Sequence, residues 1–296
     1  MSLSLRSLLY IPALAGEYLA KARSRGADAI IIDLEDSIPM ARKSEARAAL
    51  GDAVQLLASQ GMRIWVRVNS VQALVTEDLE AATLPGVQTI LLPKVESELH
   101  LHRAEATIAA TERARSLAAN SIELSALVET PMGIMKLDEI CGATSRLASL
   151  SFGSEDLSLG LGVEPAFEAL HIPAQMTVIA ARAYGLSVYG VPGSVSEYRD
   201  VEAYRHLCVQ GRTMGFDGVL CIHPRQVEQI NGAFAATKAE MEYARRVIEA
   251  YETAMKNGVG AVALDGKMID LPVVERARKT LAGNVSMTCA YKARRM

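Results

Sequence analysis

Residues 147–160 read LASLSFGSEDLSLG. The first six are an apolar run too short for a helix, and the run stops at Gly153. Ser154, Glu155 and Asp156 follow at once. A buried parallel strand that ends in an acid is where α/β enzymes keep their chemistry. The competing reading makes Asp156 the N-cap of the next helix, a position that Asp favours. The stretch alone leaves both readings open, and the rest of the chain decides between them.

Outward from this stretch, short β-like runs alternate with amphipathic ones. The runs fall at 8–11, 29–34, 64–68, 89–92, 123–128, 147–152, 188–191 and 218–222. Helical patterns separate them at about 16–25, 41–59, 76–82, 98–118, 135–141, 173–184 and 201–214. Strict alternation implies parallel strands with helical crossovers, and eight repeats predict an α/β fold of the (β/α)8 TIM-barrel type. A doubly wound open sheet is the runner-up, but it should show a glycine-rich phosphate turn after the first strand, and YIPALAGEYL is a poor one. Past Ile222 the strand rhythm ends. Helices are expected at 225–234, 239–256 and 273–281, with a Gly-rich, hairpin-like stretch before the last. The barrel is assigned to residues 1–235 and a C-terminal helical lid to 236–296, with a basic, patternless and mobile tail at 287–296.

Composition narrows the class. With 296 residues, half of them hydrophobic, the chain can bury a full core. A formal charge of −3 gives no reason to expect nucleic acid as a partner. No apolar run is long enough to span a bilayer, and the start lacks a signal peptide's apolar core, so a cytoplasmic protein without a membrane partner is expected. Cys141, Cys208, Cys221 and Cys289 form no CxxC pair and read as apolar fillers.

In a barrel, the C-terminal ends of all strands face one site. Those ends carry Asp33, Glu35 and Asp36, then Arg67 and Asn69, Lys94 and Glu96, Glu129, Asp156 and His223. For Lys94, Glu96 and Glu155 the plainer reading, a helix cap or a surface salt bridge, is preferred. Glu129 and Asp156 are the sharpest pair: both lie just past buried strands that are neighbours in sequence order. Two carboxylates held together raise each other's pKa unless a cation neutralises them. Few, hard oxygen ligands with room for water and substrate suit Mg2+, or Mn2+ in its place. Asp33, Glu35 and Asp36 then hold metal-bound water or position Arg67. Arg67 is the natural fork for a substrate carboxylate, and Arg6 is a candidate second clamp.

These residues resemble the citrate lyase β-subunit-like acyl-CoA lyases of the HpcH/HpaI aldolase superfamily, the citramalyl-, malyl- and citryl-CoA lyase group. The matching pieces are RSLLYIP from Arg6, GADAIIIDLEDSI from Gly26, VRVN from Val66 and LLPKVES from Leu91. ALVETPMGI from Ala126, FGSEDLSLGLG from Phe152, GFDGVLCIHPRQV from Gly215 and LDGKMIDLP from Leu264 complete the set. The resemblance implies a TIM barrel with a C-terminal lid in a homotrimer. It implies Mg2+ on Glu129 and Asp156, a CoA thioester as substrate, and Arg67 on the substrate carboxylate. It also implies that Asp270, on a neighbouring subunit's lid, completes the site.

The implied reaction cleaves a 3-hydroxyacyl-CoA to acetyl-CoA and a 2-oxo acid. Three rivals stand beside it: a subunit of a citrate lyase complex acting on an acyl-carrier thioester, a CoA-independent 2-oxo-acid aldolase, and a thioester hydrolase. Departures from the family pattern include the neutral turn ALAGEYL with Glu17, the absence of Arg and Lys between Arg146 and Arg182, Tyr189 in place of Asp, and Val219 in place of Lys. They bear on the carrier and the acyl group more than on the metal.

Overall fold

The computed structural model describes residues 5–282, so the expected tail at 287–296 and Cys289 lie outside the described residues. Eight parallel strands are β1 (Ser7–Pro12), β2 (Ala29–Asp33), β3 (Ile64–Arg67), β4 (Val87–Leu92), β5 (Glu123–Val128), β6 (Leu147–Phe152), β7 (Ser187–Tyr189) and β8 (Val219–Cys221). They pair in the order β7-β6-β5-β4-β3-β2-β1-β8. One parallel bridge, Tyr189 to Gly218, joins the two ends, and the Gly190 N–H donates to the Gly218 carbonyl at 2.9 Å. This is the (β/α)8 barrel, not the open sheet. Closure needs glycine at 218, where a Cβ would collide with the Arg6 carbonyl.

Twelve α-helices are described. They are α1 (Gly16–Ala20), α2 (Lys43–Ser59), α3 (Gln72–Ala82), α4 (Glu98–Ala114), α5 (Pro131–Met135), α6 (Leu137–Gly142), α7 (Ser154–Leu161), α8 (Phe167–Ala183), α9 (Val201–Met214), α10 (Pro224–Phe234), α11 (Lys238–Lys256) and α12 (Leu271–Leu281). Several depart from expectation: α1 stops at Ala20, short of the expected 25, and α8 begins at Phe167, with Pro173 inside it instead of at its start. The helix expected at 135–141 is a pair, broken where Lys136 leaves helical geometry. Thr130 caps the first of them through the Gly133 N–H, and Pro131 opens it. The eight-residue α7 was not expected, because Gly160 and the αL Gly162 mask its periodicity. Gly160 is there for packing: a Cβ would lie 2.9 Å from Pro131 Cδ.

Alternation along each strand sends one face outward to the helices and the other into the barrel. The inward face carries Leu8, Ala29, Ile31, Trp65, Leu91, Leu127, Tyr189 and Leu220, which pack as one cluster. The Trp65 and Tyr189 rings meet edge to face with centroids 5.7 Å apart. Tyr189 therefore fills the barrel instead of offering a charge at its mouth.

Among the described residues, 5–233 and 234–282 form two compact units. In the second, Thr237 and Glu240 make a capping box for α11. Strands β9 (Val262–Leu264) and β10 (Lys267–Ile269) form a hairpin turning at Asp265 and Gly266, both at positive φ. Val247, Ile269 and Val274 are the centre of its core. No described helix is long and apolar enough to cross a membrane. Cys141, Cys208 and Cys221 are buried, and burial pushes the Cys141 and Cys208 thiols up to about 12, which suits fillers.

Candidate active site

The inward face that is apolar in the barrel interior becomes polar at its C-terminal end. Two residues beyond Ile31 stands Asp33, two beyond Trp65 stands Arg67, and two beyond Leu127 stands Glu129. Register then sets neighbours side by side: Asp33 pairs with Arg67 across β2 and β3. The Arg67 fork is bidentate, Nε to Asp33 Oδ1 at 2.8 Å and Nη2 to Asp33 Oδ2 at 2.9 Å. Its Nη1 lies 3.1 Å from both Glu35 Oε2 and Asp36 Oδ2. The Tyr10 ring backs the guanidinium with its centroid 4.6 Å from Cζ.

Charge follows geometry. Burial works against the Asp33 charge, but the Arg67 hydrogen bonds and charge, with Ser37, outweigh it and hold Asp33 below the usual carboxylate range. Glu35 goes the other way: burial, reinforced by Asp36 and Asp33, overrides Arg67 and pushes it up to about 6.

Glu129 is buried, 4% exposed, one residue past β5. Its Oε1 accepts the Lys94 N–H at 2.9 Å. Lys94 holds that N–H in place from the left-handed region, at φ 51°, where a non-glycine residue is uncommon. Its Nζ lies 3.7 Å from Asp156 Oδ1, so Lys94 touches both members of the acid pair. The side-chain contact is the partly exposed salt bridge expected of Lys94; the backbone grip on Glu129 is an addition to that reading. Gly153, which ends β6, gives Glu129 its space: a Cβ there would lie 2.5 Å from Glu129 Cβ and 2.6 Å from Oε2. Burial first, then the Asp156 and Glu35 charges, push the Glu129 carboxyl up to about 8. Asp156 sits in the first turn of α7 but does not cap it; the N-cap position is Gly153.

Other expected residues land elsewhere. Arg6 precedes β1 and so lies at the opposite, N-terminal end of the barrel, where it grips Asp28 through Nε and Nη2, each at 2.9 Å. It is not brought to the mouth and cannot be a substrate clamp there. Asn69 is buried and tied to Asp78 and the Leu34 carbonyl, a structural brace. His223 stacks on Tyr198 at 4.1 Å. Asp270 belongs to the second unit, where it caps α12 through the Val273 N–H. Sequence reasoning missed Gly153 and Tyr10, although Gly153 carried a signal: a glycine between a buried strand and an acid-rich helix start.

A cavity of about 410 Å3 opens at the mouth, lined on its polar side by Asp33, Asp36, Arg67, Glu129 and Asp156. Its other wall is apolar, with Phe152, Val195, Leu220 and Ile222. No group of three or more His, Cys, Asp or Glu among the described residues is arranged to hold a metal by itself. Two carboxylates beside an open cavity fit an ion that keeps water and takes substrate oxygens, which is how Mg2+ binds. The raised Glu129 agrees, since a divalent cation relieves that repulsion.

Comparison with known proteins gives a consistent picture. The family model described as HpcH/HpaI aldolase/citrate lyase matches residues 6–224. A (3S)-malyl-CoA thioesterase of Cereibacter sphaeroides is 37% identical over 283 residues, 94% of this chain and 93% of that protein. The citrate lyase subunit beta of Escherichia coli is 32% identical over 280 residues, 94% and 92%. The structure of the Mycobacterium tuberculosis protein CitE, in complex with magnesium, acetoacetate and coenzyme A, superposes with a TM-score of 0.73 at 28% identity, covering 95% of this chain and 98% of that one.

Proposed function

The chain belongs to the HpcH/HpaI aldolase/citrate lyase family, and from that premise we propose that it is a Mg2+-dependent carbon–carbon lyase. Its substrate is citramalyl-, malyl- or citryl-CoA, and its products are acetyl-CoA and pyruvate, glyoxylate or oxaloacetate. The observation that carries the reading is the Glu129–Asp156 pair: one buried carboxylate held up to about 8 and a second beside it, facing a cavity that would take the acyl group. A family relative that binds magnesium and coenzyme A together supports the same reading.

Glu129 and Asp156 would hold the ion, with the Lys94 N–H fixing one oxygen of Glu129. When bound, the metal acidifies the substrate hydroxyl and polarises the forming carbonyl. Arg67 receives the substrate carboxylate. Asp33 occupies one edge of its fork through Nε and Nη2, while Nη1 lies against Glu35 and Asp36, of which Asp36 is exposed enough to swing aside. Glu35 and Asp36 thus position Arg67 and order water beside it. The substrate hydroxyl gives its proton to the water that Glu35 and Asp36 order, and as the carbon–carbon bond breaks its electron pair passes to the thioester enolate. Asp270, from a neighbouring copy in a cytoplasmic homotrimer, gives the enolate carbon its proton, and closure of the C-terminal unit excludes water.

A second reading is thioester hydrolysis, favoured by the 37% identity to a (3S)-malyl-CoA thioesterase. The test is an assay of malyl-, citramalyl- and citryl-CoA, with and without Mg2+, following acetyl-CoA, 2-oxo acid and free CoA separately. Metal-dependent release of acetyl-CoA with an equal amount of 2-oxo acid is the expected result. Free CoA with intact malate would replace lyase by hydrolase, and inertness toward all three thioesters would favour a carrier-protein substrate.

A further inference from the structure

Glu155 is an acid at the mouth with no part in the proposed reaction. It sits in the first turn of α7, next to Asp156. Its Oε1 accepts the Ser194 hydroxyl at 2.6 Å, the Val195 N–H at 3.0 Å and the Ser196 N–H at 3.3 Å. Those residues belong to the long connection between β7 and α9. The same connection is held from the other side. The Val195 carbonyl accepts the Gln226 Nε2 at 2.8 Å. Gln226 is 1% exposed, and its Oε1 accepts the Ile222 and His223 N–H groups at 3.0 and 2.9 Å. Both backbone groups of Val195 are therefore fixed, one by α7 and one by α10. The stack of Tyr198 on His223 adds a third tie. A loop without regular structure would otherwise be among the first parts of the molecule to open.

The clamped residue faces the chemistry. Val195 and Ile222 line the same cavity as Arg67, Glu129 and Asp156. We propose that Glu155 is a positioning residue that makes the β7–α9 loop a fixed wall of the cavity, and that Val195 on that wall selects the acyl group. The selection rests on the acyl-CoA lyase reading; the clamp does not. The three thioesters differ in one substituent on the hydroxyl-bearing carbon: hydrogen in malyl, methyl in citramalyl, carboxymethyl in citryl. A branched apolar wall accepts hydrogen or methyl and disfavours a second carboxylate, which would lose its water without gaining a partner. The substrate class this assigns is a 3-hydroxyacyl thioester with a small apolar substituent.

The test combines hydrogen exchange with selectivity. In Glu155→Ala, amide exchange in residues 192–200 should rise about tenfold or more, from the loss of three hydrogen bonds. Glu155→Gln keeps an accepting oxygen and should stay close to wild type, while the barrel strands stay protected in both. Val195→Ala should raise the kcat/KM ratio of citryl- to citramalyl-CoA by about tenfold, mainly through KM. Unchanged loop exchange in Glu155→Ala overturns the clamp, and an unchanged ratio in Val195→Ala overturns the selection. If the wild type cleaves none of the thioesters, calorimetric binding of pyruvate against oxaloacetate in Mg2+ reads the same preference. Tighter binding of oxaloacetate would then overturn it.

Discussion

The two ends of the barrel handle buried charge in opposite ways. At the N-terminal floor three arginines each grip a carboxylate in a two-bonded pair. Arg146 holds Glu112 with two hydrogen bonds of 2.9 Å, Arg182 holds Asp217 at 3.0 and 2.7 Å, and Arg6 holds Asp28 at 2.9 Å twice. Burial opposes the Glu112 charge, but Arg146 and the Ile122 and Asn120 N–H groups outweigh it and set Glu112 at about 2. At the mouth, Arg67 and Lys94 face Asp33, Glu35, Asp36, Glu129 and Asp156, and two of those acids are pushed up instead of down. Balanced pairs brace the segments that lead into the strands. A surplus of one sign, kept in place by the fold, marks a place that binds something of the other sign.

Substitutions should separate the two ends. Glu129→Ala or Asp156→Ala should lower kcat/KM by about 10^3-fold or more. In Glu129→Ala the urea midpoint should hold or rise, because a buried acid beside like charges opposes folding. Glu112→Ala should do the reverse, costing about 3–5 kcal/mol in urea unfolding by stranding Arg146, while activity per folded molecule is kept. Glu112 also carries a pH signature. Its folded value lies below its ordinary 4.5, so its contribution is complete above 4.5 and is lost as pH falls toward about 2. Acid unfolding of Glu112→Gln should accordingly be less steep through that window than that of wild type. Gly153→Ala, which drives a methyl into Glu129, should lower kcat by about 10^2-fold. Arg6→Ala should have the smallest effect: about 1 kcal/mol of stability, from a half-exposed pair, with kcat/KM within about twofold of wild type. A large loss of activity in Arg6→Ala would erase the distinction between floor and mouth.

Much of the mouth was legible in the sequence because strand periodicity and strand direction are both written there. An apolar run followed by an acid, as at Val128–Glu129 or Phe152–Asp156, states which end of the barrel the acid occupies. The same rule places Arg6, which stands before its strand, at the floor and away from any substrate at the mouth. Lys94 was hidden for a different reason. Its grip on Glu129 is a backbone N–H presented at positive φ, and nothing in the residue type announces that conformation. α7 was hidden because Gly160 answers to Pro131 across a helix contact and not to helix propensity. Glu155 looked like a solvated neighbour of Asp156 because its partners lie about 40 residues away.

The most direct test of a cation site on Glu129 and Asp156 is a Mn2+ titration followed by electron paramagnetic resonance. Wild type and Glu112→Ala should each bind one Mn2+ per chain, displaceable by Mg2+, and the Glu129→Gln/Asp156→Asn double variant should bind none. Equal stoichiometry and affinity in the double variant would contradict the account.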